Sequence, residues 1–170
     1  LYAFRNFKKI KKTLIVYNKK HKKYIDKLNL KNTLKIVGGK TRQESTFKAL
    51  KKIKKMGCSK VLIHGAARPN TSKKIINEII NKLNNNHAVI PVIKINDATK
   101  QFRNNLIFKN IKRNSLCLSQ TPQGFTYNKI YERHASSIND FCDDDSALFT
   151  NYGEKVFAVK GSKTNLKITD

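Results

Sequence analysis

Tryptophan is absent, methionine occurs once, and the chain holds only three cysteines, three prolines and seven glycines. Cys58, Cys117 and Cys142 are odd in number and show no C-x-x-C spacing. That excludes a disulfide framework and a zinc ribbon, and it fits a reducing, cytoplasmic setting. Long apolar runs are missing as well: Val61-Leu62-Ile63 and Ala88-Val89-Ile90 fall far short of the roughly 18–20 residues of a membrane span. The single methionine, Met56, stands mid-chain, so the sequence reads as a fragment without its initiator. What is plentiful is apolar and cationic. With 39% hydrophobic and 9% aromatic residues, 170 residues suffice for one packed domain, against a disordered polybasic tail or a collagen-like segment.

Acid is also scarce: 11 Asp+Glu stand against 36 Lys+Arg, a formal net charge of +25. Such an excess ordinarily points to polyanions. Here the lysines are spread over the whole chain, and only six positions are arginine: Arg5, Arg42, Arg68, Arg103, Arg113 and Arg133. A nucleic-acid binder more often concentrates arginine and aromatics on one element, so compositional drift is the better account and the few arginines become informative.

Strand-like runs alternate with helical periodicity. Leu1–Phe7 reads as the tail of a helix, Thr13–Tyr17 as a strand, Lys22–Leu28 as a short helix, and Leu34–Val37 as a second strand. Ser45–Met56 carries Phe47, Leu50 and Ile53 on one face, and Gly57 sits where a C-cap glycine belongs. Lys60–His64 is a third strand, and Ile75, Ile76, Ile79, Ile80 and Leu83 fall at helical spacing. Ala88–Val92 is a fourth strand, Asp97–Lys112 a polar excursion resembling an arm, and Leu116–Ser119 a fifth strand. Tyr127–Ser137 and Ser146–Tyr152 read as helices, and Val156–Val159 as the last strand. No repeat or linker interrupts the series, so the expectation is a single α/β domain, a mostly parallel sheet with helices on both faces.

In such sheets ligands lie beyond the carboxyl ends of the strands, so the loops there are read first. Gly38-Gly39-Lys40-Thr41-Arg42-Gln43-Glu44-Ser45 offers two glycines for close backbone approach and a serine at an N-cap position. Alone it is ordinary turn chemistry. His64-Gly65-Ala66-Ala67-Arg68-Pro69 follows the third strand, and further on stand Arg113-Asn114, Gln120-Thr121-Pro122-Gln123, Asp143-Asp144-Asp145 and Asn165-Leu166-Lys167-Ile168-Thr169. The three aspartates fit the N-terminal cap of a helix near Ser146 better than a metal site, although both readings stand. His64 reads as a turn-orienting residue, whereas His21, His87 and His134 read as surface residues, and no metal-ligand set is visible.

In order and spacing these segments resemble the 2-C-methyl-D-erythritol 4-phosphate (MEP) cytidylyltransferase family from about Leu14 to Asp170. The family's G-G-x-x-R-x-x-S is similar to Gly38, Gly39, Arg42 and Ser45; its H-D-A-A-R-P to His64–Pro69; its T-P-Q to Thr121–Gln123; its N-x-K-x-T to Asn165, Lys167 and Thr169. The resemblance implies a Rossmann-like nucleotidyltransferase fold and the transfer of a cytidylyl group from cytidine triphosphate (CTP) to methylerythritol phosphate, with release of pyrophosphate. It places Gly38, Gly39 and Ser45 near the cytosine, and Ala66 and Ala67 near the ribose. Arg113 and Lys167 become the catalytic pair holding the attacking phosphate, with Arg68, Thr121 and Asp143 lining the substrate pocket. It implies magnesium, a homodimer embraced by an arm at about 97–115, and a possible fusion to a cyclodiphosphate synthase.

The sequence departs from the family at Gly65, where the family's Asp is associated with magnesium, and at Ala98, where it has Thr. Where the family's acidic turn begins Thr-Asp, the ungapped register here gives Asp143-Asp144, with Cys142 as the alternative equivalent of the Thr, and the family's first strand, its Gly-rich basic loop and its closing helix have no counterpart between Leu1 and Asp170. A pentitol-phosphate cytidylyltransferase is the alternative of the same chemistry, with Ala66-Ala67 favouring methylerythritol phosphate. A degenerate, noncatalytic dimeric module is the alternative of a different class.

Overall fold

A computed structural model describes residue 4 and residues 7–30, 32–137 and 142–169 of the chain. The helix expected at Leu1–Phe7 lies for the most part outside the described residues. Parallel strands β1 (Thr13–Tyr17) and β2 (Thr33–Val37) pair in register from Thr13↔Thr33 to Tyr17↔Val37, with the short helix α1 (Lys22–Asp26) between them. Helix α2 (Arg42–Ile53) follows, then β3 (Lys60–Ile63), α3 (Lys73–Lys82) and β4 (Ala88–Lys94). After a hairpin of β5 (Thr99–Arg103) and β6 (Leu106–Ile111) come β7 (Cys117–Ser119), β8 (Gln123–Thr126), α4 (Tyr127–Ser136), α5 (Ala147–Thr150) and β9 (Phe157–Lys160).

The α/β class follows expectation, but strand directions are mixed where a mostly parallel sheet was expected. β9 lies parallel to β4, whereas β7 and β8 both run antiparallel to β4, and β8 also pairs antiparallel with β3. Register changes between Val92↔Ser119 and Val89↔Gly124, the signature of a bulge: Gln120 still donates to the Pro91 carbonyl of β4, and Thr121-Pro122 bulge away before pairing resumes.

Alternation along the strands divides the core. Val61 and Ile63 of β3, Ala88 of β4 and Phe125 of β8 pack with Leu50 of α2, Tyr127 and Ile130 of α4, and Leu148 and Phe149 of α5. Leu62 and Val89 face the other way, toward Ile75, Ile79 and Leu83. Ser72 caps α3 by accepting from the Ile75 N–H, and the buried Ile75, Ile76 and Ile79 each contribute roughly 1.5–3 kcal/mol. Between these layers Gly124 supplies closeness: a Cβ there would sit 2.3 Å from Ile79 Cγ2 and 2.9 Å from Leu83 Cδ1.

Two boundaries shift for local reasons. Helix α2 begins at Arg42 because Thr41, not Ser45, is its N-cap, accepting from the Glu44 N–H at 3.0 Å. It ends at Ile53, so Gly57, with φ +63°, closes the turn after the helix instead of capping it. The expected arm is a two-stranded hairpin turning at Asn104-Asn105, both with positive φ, the conformation of a type I′ turn. Phe102, Leu106, Ile107 and Phe108 are 58–71% exposed on it.

Candidate functional site

The loop after β2 closes on the first turn of α2. Ser45 Oγ accepts from the Gly39 N–H at 2.9 Å and donates to the Thr41 carbonyl at 2.8 Å. A Cβ at Gly38 would stand 2.7 Å from Ser45 Oγ, so glycine is what lets this serine reach the loop. Gly38, Gly39 and Ser45 are therefore brought together, by a route other than the N-cap role expected for Ser45.

The second group gathers beyond β3, where the bulge delivers Thr121. Its Oγ1 accepts from the Gly65 N–H at 3.3 Å and donates to His64 Nδ1 at 3.0 Å, while His64 Nε2 donates to the Arg68 carbonyl at 2.9 Å. This chain of bonds fixes the neutral tautomer of His64. Burial, the largest cause, pushes its pKa down to about 4. Arg68 donates to the Asn165 carbonyl at 2.7 Å and the Ser119 carbonyl at 3.4 Å. Buried Asn165 in turn donates to the Thr121 carbonyl at 2.9 Å, and its Oδ1 accepts from Thr71 at 3.1 Å. The Ile168 N–H donates to the Ala67 carbonyl, which brings the exposed Lys167 beside the Ala66-Ala67 turn.

The remaining residues fall elsewhere. Arg113 stands at the base of the arm and donates to the Asn96 carbonyl, and with Lys94, Ile95, Asn114 and Leu116 it lines a cavity of about 410 Å³. Asp143 is exposed. Its neighbour Asp144 does the capping, accepting from Ser146 Oγ and the Ala147 N–H, and it also accepts from Ser119 Oγ and Gln123 Nε2. Burial alone would raise its pKa, but these four donors together hold it below the usual carboxylate range.

One expectation is overturned: His134 is no surface residue but is 1% exposed, stacked on Phe47, with Nε2 3.0 Å from Asp145 Oδ1. Tyr127, Ile130, Tyr131 and His134 fall at i, i+3, i+4 and i+7 of α4, and that spacing was the available signal. Asp145, buried between His134 and Arg42, carried no signal of its own.

The donors present do not build a resident divalent-cation site. No group of three His, Cys, Asp or Glu side chains converges among the described residues. Asp144 and Asp145 are committed to the partners above, and at Gly65 a Cβ would meet only Thr121 Oγ1, at 4.0 Å. Magnesium bound to an acid at position 65 is thus not a property of this chain.

A family model described as IspD, 2-C-methyl-D-erythritol 4-phosphate cytidylyltransferase, matches residues 1–170. The chain belongs to this family. It is 47% identical over 163 residues to a bifunctional enzyme IspD/IspF of Pelagibacter ubique (strain HTCC1062), covering 96% of this chain and 43% of that protein. It is 40% identical over 147 residues to a 2-C-methyl-D-erythritol 4-phosphate cytidylyltransferase of Clostridioides difficile (strain 630), covering 85% of this chain and 62% of that one. The chain thus spans about half the length of the curated relatives it matches. Among solved structures, the 4-diphosphocytidyl-2C-methyl-D-erythritol synthase of Anaerococcus prevotii DSM 20548 superposes with a TM-score of 0.88 at 29% identity, over 99% of this chain and 78% of that one. This IspD fold is the frame in which the two loop groups lie, and no helix among the described residues is long and apolar enough to cross a membrane.

Proposed function

We propose that this chain is the nucleotidyltransferase domain of a cytoplasmic enzyme that transfers a cytidylyl group from CTP to 2-C-methyl-D-erythritol 4-phosphate. In the reaction an oxygen of the acceptor phosphate attacks the α-phosphorus of CTP, the bond to the β-phosphate breaks, and pyrophosphate leaves with the electron pair. Joining two anions is a problem of alignment and neutralisation, which fixed N–H donors and cations meet.

The observation that carries the reading is the convergence of Arg68, Thr121 and Asn165 on one hydrogen-bonded network beside the Ala66-Ala67 turn, in a chain of this family. The Gly38–Ser45 loop takes the cytosine, the Ala66-Ala67 turn the ribose, and Arg68 and Thr121 line the acceptor side with Asp143 at its rim. Lys167 supplies a point charge and Arg113 a two-pronged fork for the acceptor phosphate. Magnesium would have to come with the triphosphate, where it would neutralise phosphate charge, because position 65 offers no acid to hold it. The apolar arm pairs with a second copy, so that Arg113 at its base serves the partner's site. A cyclodiphosphate synthase domain on the same polypeptide, as in the printed name of the Pelagibacter ubique relative, fits the reading.

Titration calorimetry of the whole natural polypeptide with CTP, UTP and ATP tests the nucleotide half of the proposal. Binding of CTP at least about tenfold tighter than the other two, a difference of about 1.4 kcal/mol, is expected. Equal affinities would remove the cytosine role from the Gly38–Ser45 loop.

A further inference from the structure

Two carboxylates adjacent in sequence point to different parts of the site. Asp144 serves the segment that carries Thr121, through Ser119 Oγ and Gln123 Nε2, both at 2.8 Å. Asp145 turns into the core, where it is 2% exposed; one oxygen takes the guanidinium of Arg42 and the other faces His134 Nε2. Arg42 is the first residue of α2, and its second nitrogen donates to the Cys142 carbonyl at 3.2 Å. Gln43, next along, donates to the Ser137 carbonyl at 2.7 Å. This same helical turn closes the Gly38-Gly39 loop through Thr41 and Ser45.

The Arg42–Asp145 pair, buried at the carboxylate and partly exposed at the guanidinium, is a weak source of net stability, because desolvation offsets much of its attraction, but it fixes how the two segments sit against each other. Asp145 is held from behind: His134 stacks on Phe47 with ring planes 9° apart, and Phe47 belongs to α2 as well. The carboxylate, its fork and its backing ring therefore fix the helix from which the loop hangs. We propose that Asp145 is a positioning residue of the candidate nucleotide site, placing the first turn of α2 through Arg42 and thereby shaping the Gly38–Ser45 pocket. What the pocket binds rests on the reading above; how it is held does not.

The test compares Asp145→Asn and Arg42→Gln with Asp144→Asn, which loosens the same turn without touching α2. In the whole natural polypeptide, Asp145→Asn and Arg42→Gln should raise the dissociation constant for CTP roughly tenfold, within the range of mutational couplings, and leave the acceptor KM within about twofold. Asp144→Asn should leave CTP affinity within about twofold. Hydrogen exchange supplies a readout that needs no ligand. The amides of Gly39 and Ser45 should exchange about tenfold faster in the first two variants, with the β4 amide of Val89 unchanged. If Asp145→Asn fails to fold, Arg42→Gln cuts the same link at a side chain 43% exposed. Wild-type protein that binds no cytidine nucleotide would overturn the functional reading, while the exchange data still decide the positioning claim. Unchanged exchange at Gly39 and Ser45 in folded variants, or equal loss of CTP affinity in all three, would overturn the proposal.

Discussion

Acid should destabilise this protein through His64. His64 has a folded-state pKa of about 4 against an ordinary value of 6.5, chiefly because it is buried, with the hydrogen bond to the Arg68 carbonyl pulling weakly the other way. Nε2–H goes to the Arg68 carbonyl, and Nδ1 is the acceptor for Thr121. A second proton would have to displace the Thr121 hydroxyl proton. Between the two pKa values the unfolded chain binds the proton and the folded chain does not, so stability is present above about pH 6.5 and is lost as pH falls toward 4. The loss is about 2 kcal/mol by pH 5 and about 3 kcal/mol by pH 4, from the linkage relation for a single site. Urea unfolding across this range, in wild type and in His64→Gln, reads it directly. Gln keeps a donor for the Arg68 carbonyl but cannot titrate, so the fall between pH 7 and 5 should shrink by about 2 kcal/mol in the variant. Parallel pH profiles for the two proteins would refute the assignment of a neutral, bonded His64.

Gly124→Ala should cost about 1–3 kcal/mol in urea unfolding, because its Cβ would stand 2.3 Å from Ile79 Cγ2 inside a closed layer. Gly65→Asp faces open space and should change stability by less than about 0.5 kcal/mol. The same variant should lower the magnesium concentration needed for half-maximal turnover, and an unchanged midpoint would speak against a metal held only by substrate. The arm pairing proposed above predicts that Ile107→Lys, at a 66% exposed position, sediments as a monomer where the wild type sediments as a dimer, with the thermal midpoint lowered only by what association contributes.

The sequence is most legible where structure is local. Thr13–Tyr17 matches its strand to the residue, and the isoleucine spacing of α3 sets out a helix whose buried face is the one observed. The motif loops were equally legible, because glycine pairs and scarce arginines stand out from a lysine-rich background. Gln123–Thr126 escaped as a strand: four residues with a glycine in their midst carry no periodicity, and only pairing with β3 and β4 makes them one. Arg42 and Asp145 meet across 103 residues, and His134 joins them from α4. Nothing in the local pattern of an aspartate triplet says which oxygen caps a helix and which is buried. That division emerges only when α2 packs against α4. Ser45 was misread for a related reason, since Thr41 four residues earlier offers the same capping hydroxyl.

The most direct test of the central claim is pyrophosphate release by the whole natural polypeptide with CTP and magnesium, offered 2-C-methyl-D-erythritol 4-phosphate or ribitol phosphate. Release dependent on methylerythritol phosphate, and lost when Lys167 or Arg113 is replaced by alanine, is the predicted result. A folded protein that binds CTP yet releases pyrophosphate with neither acceptor would contradict it, and turnover with ribitol phosphate alone would move the activity to the pentitol-phosphate class.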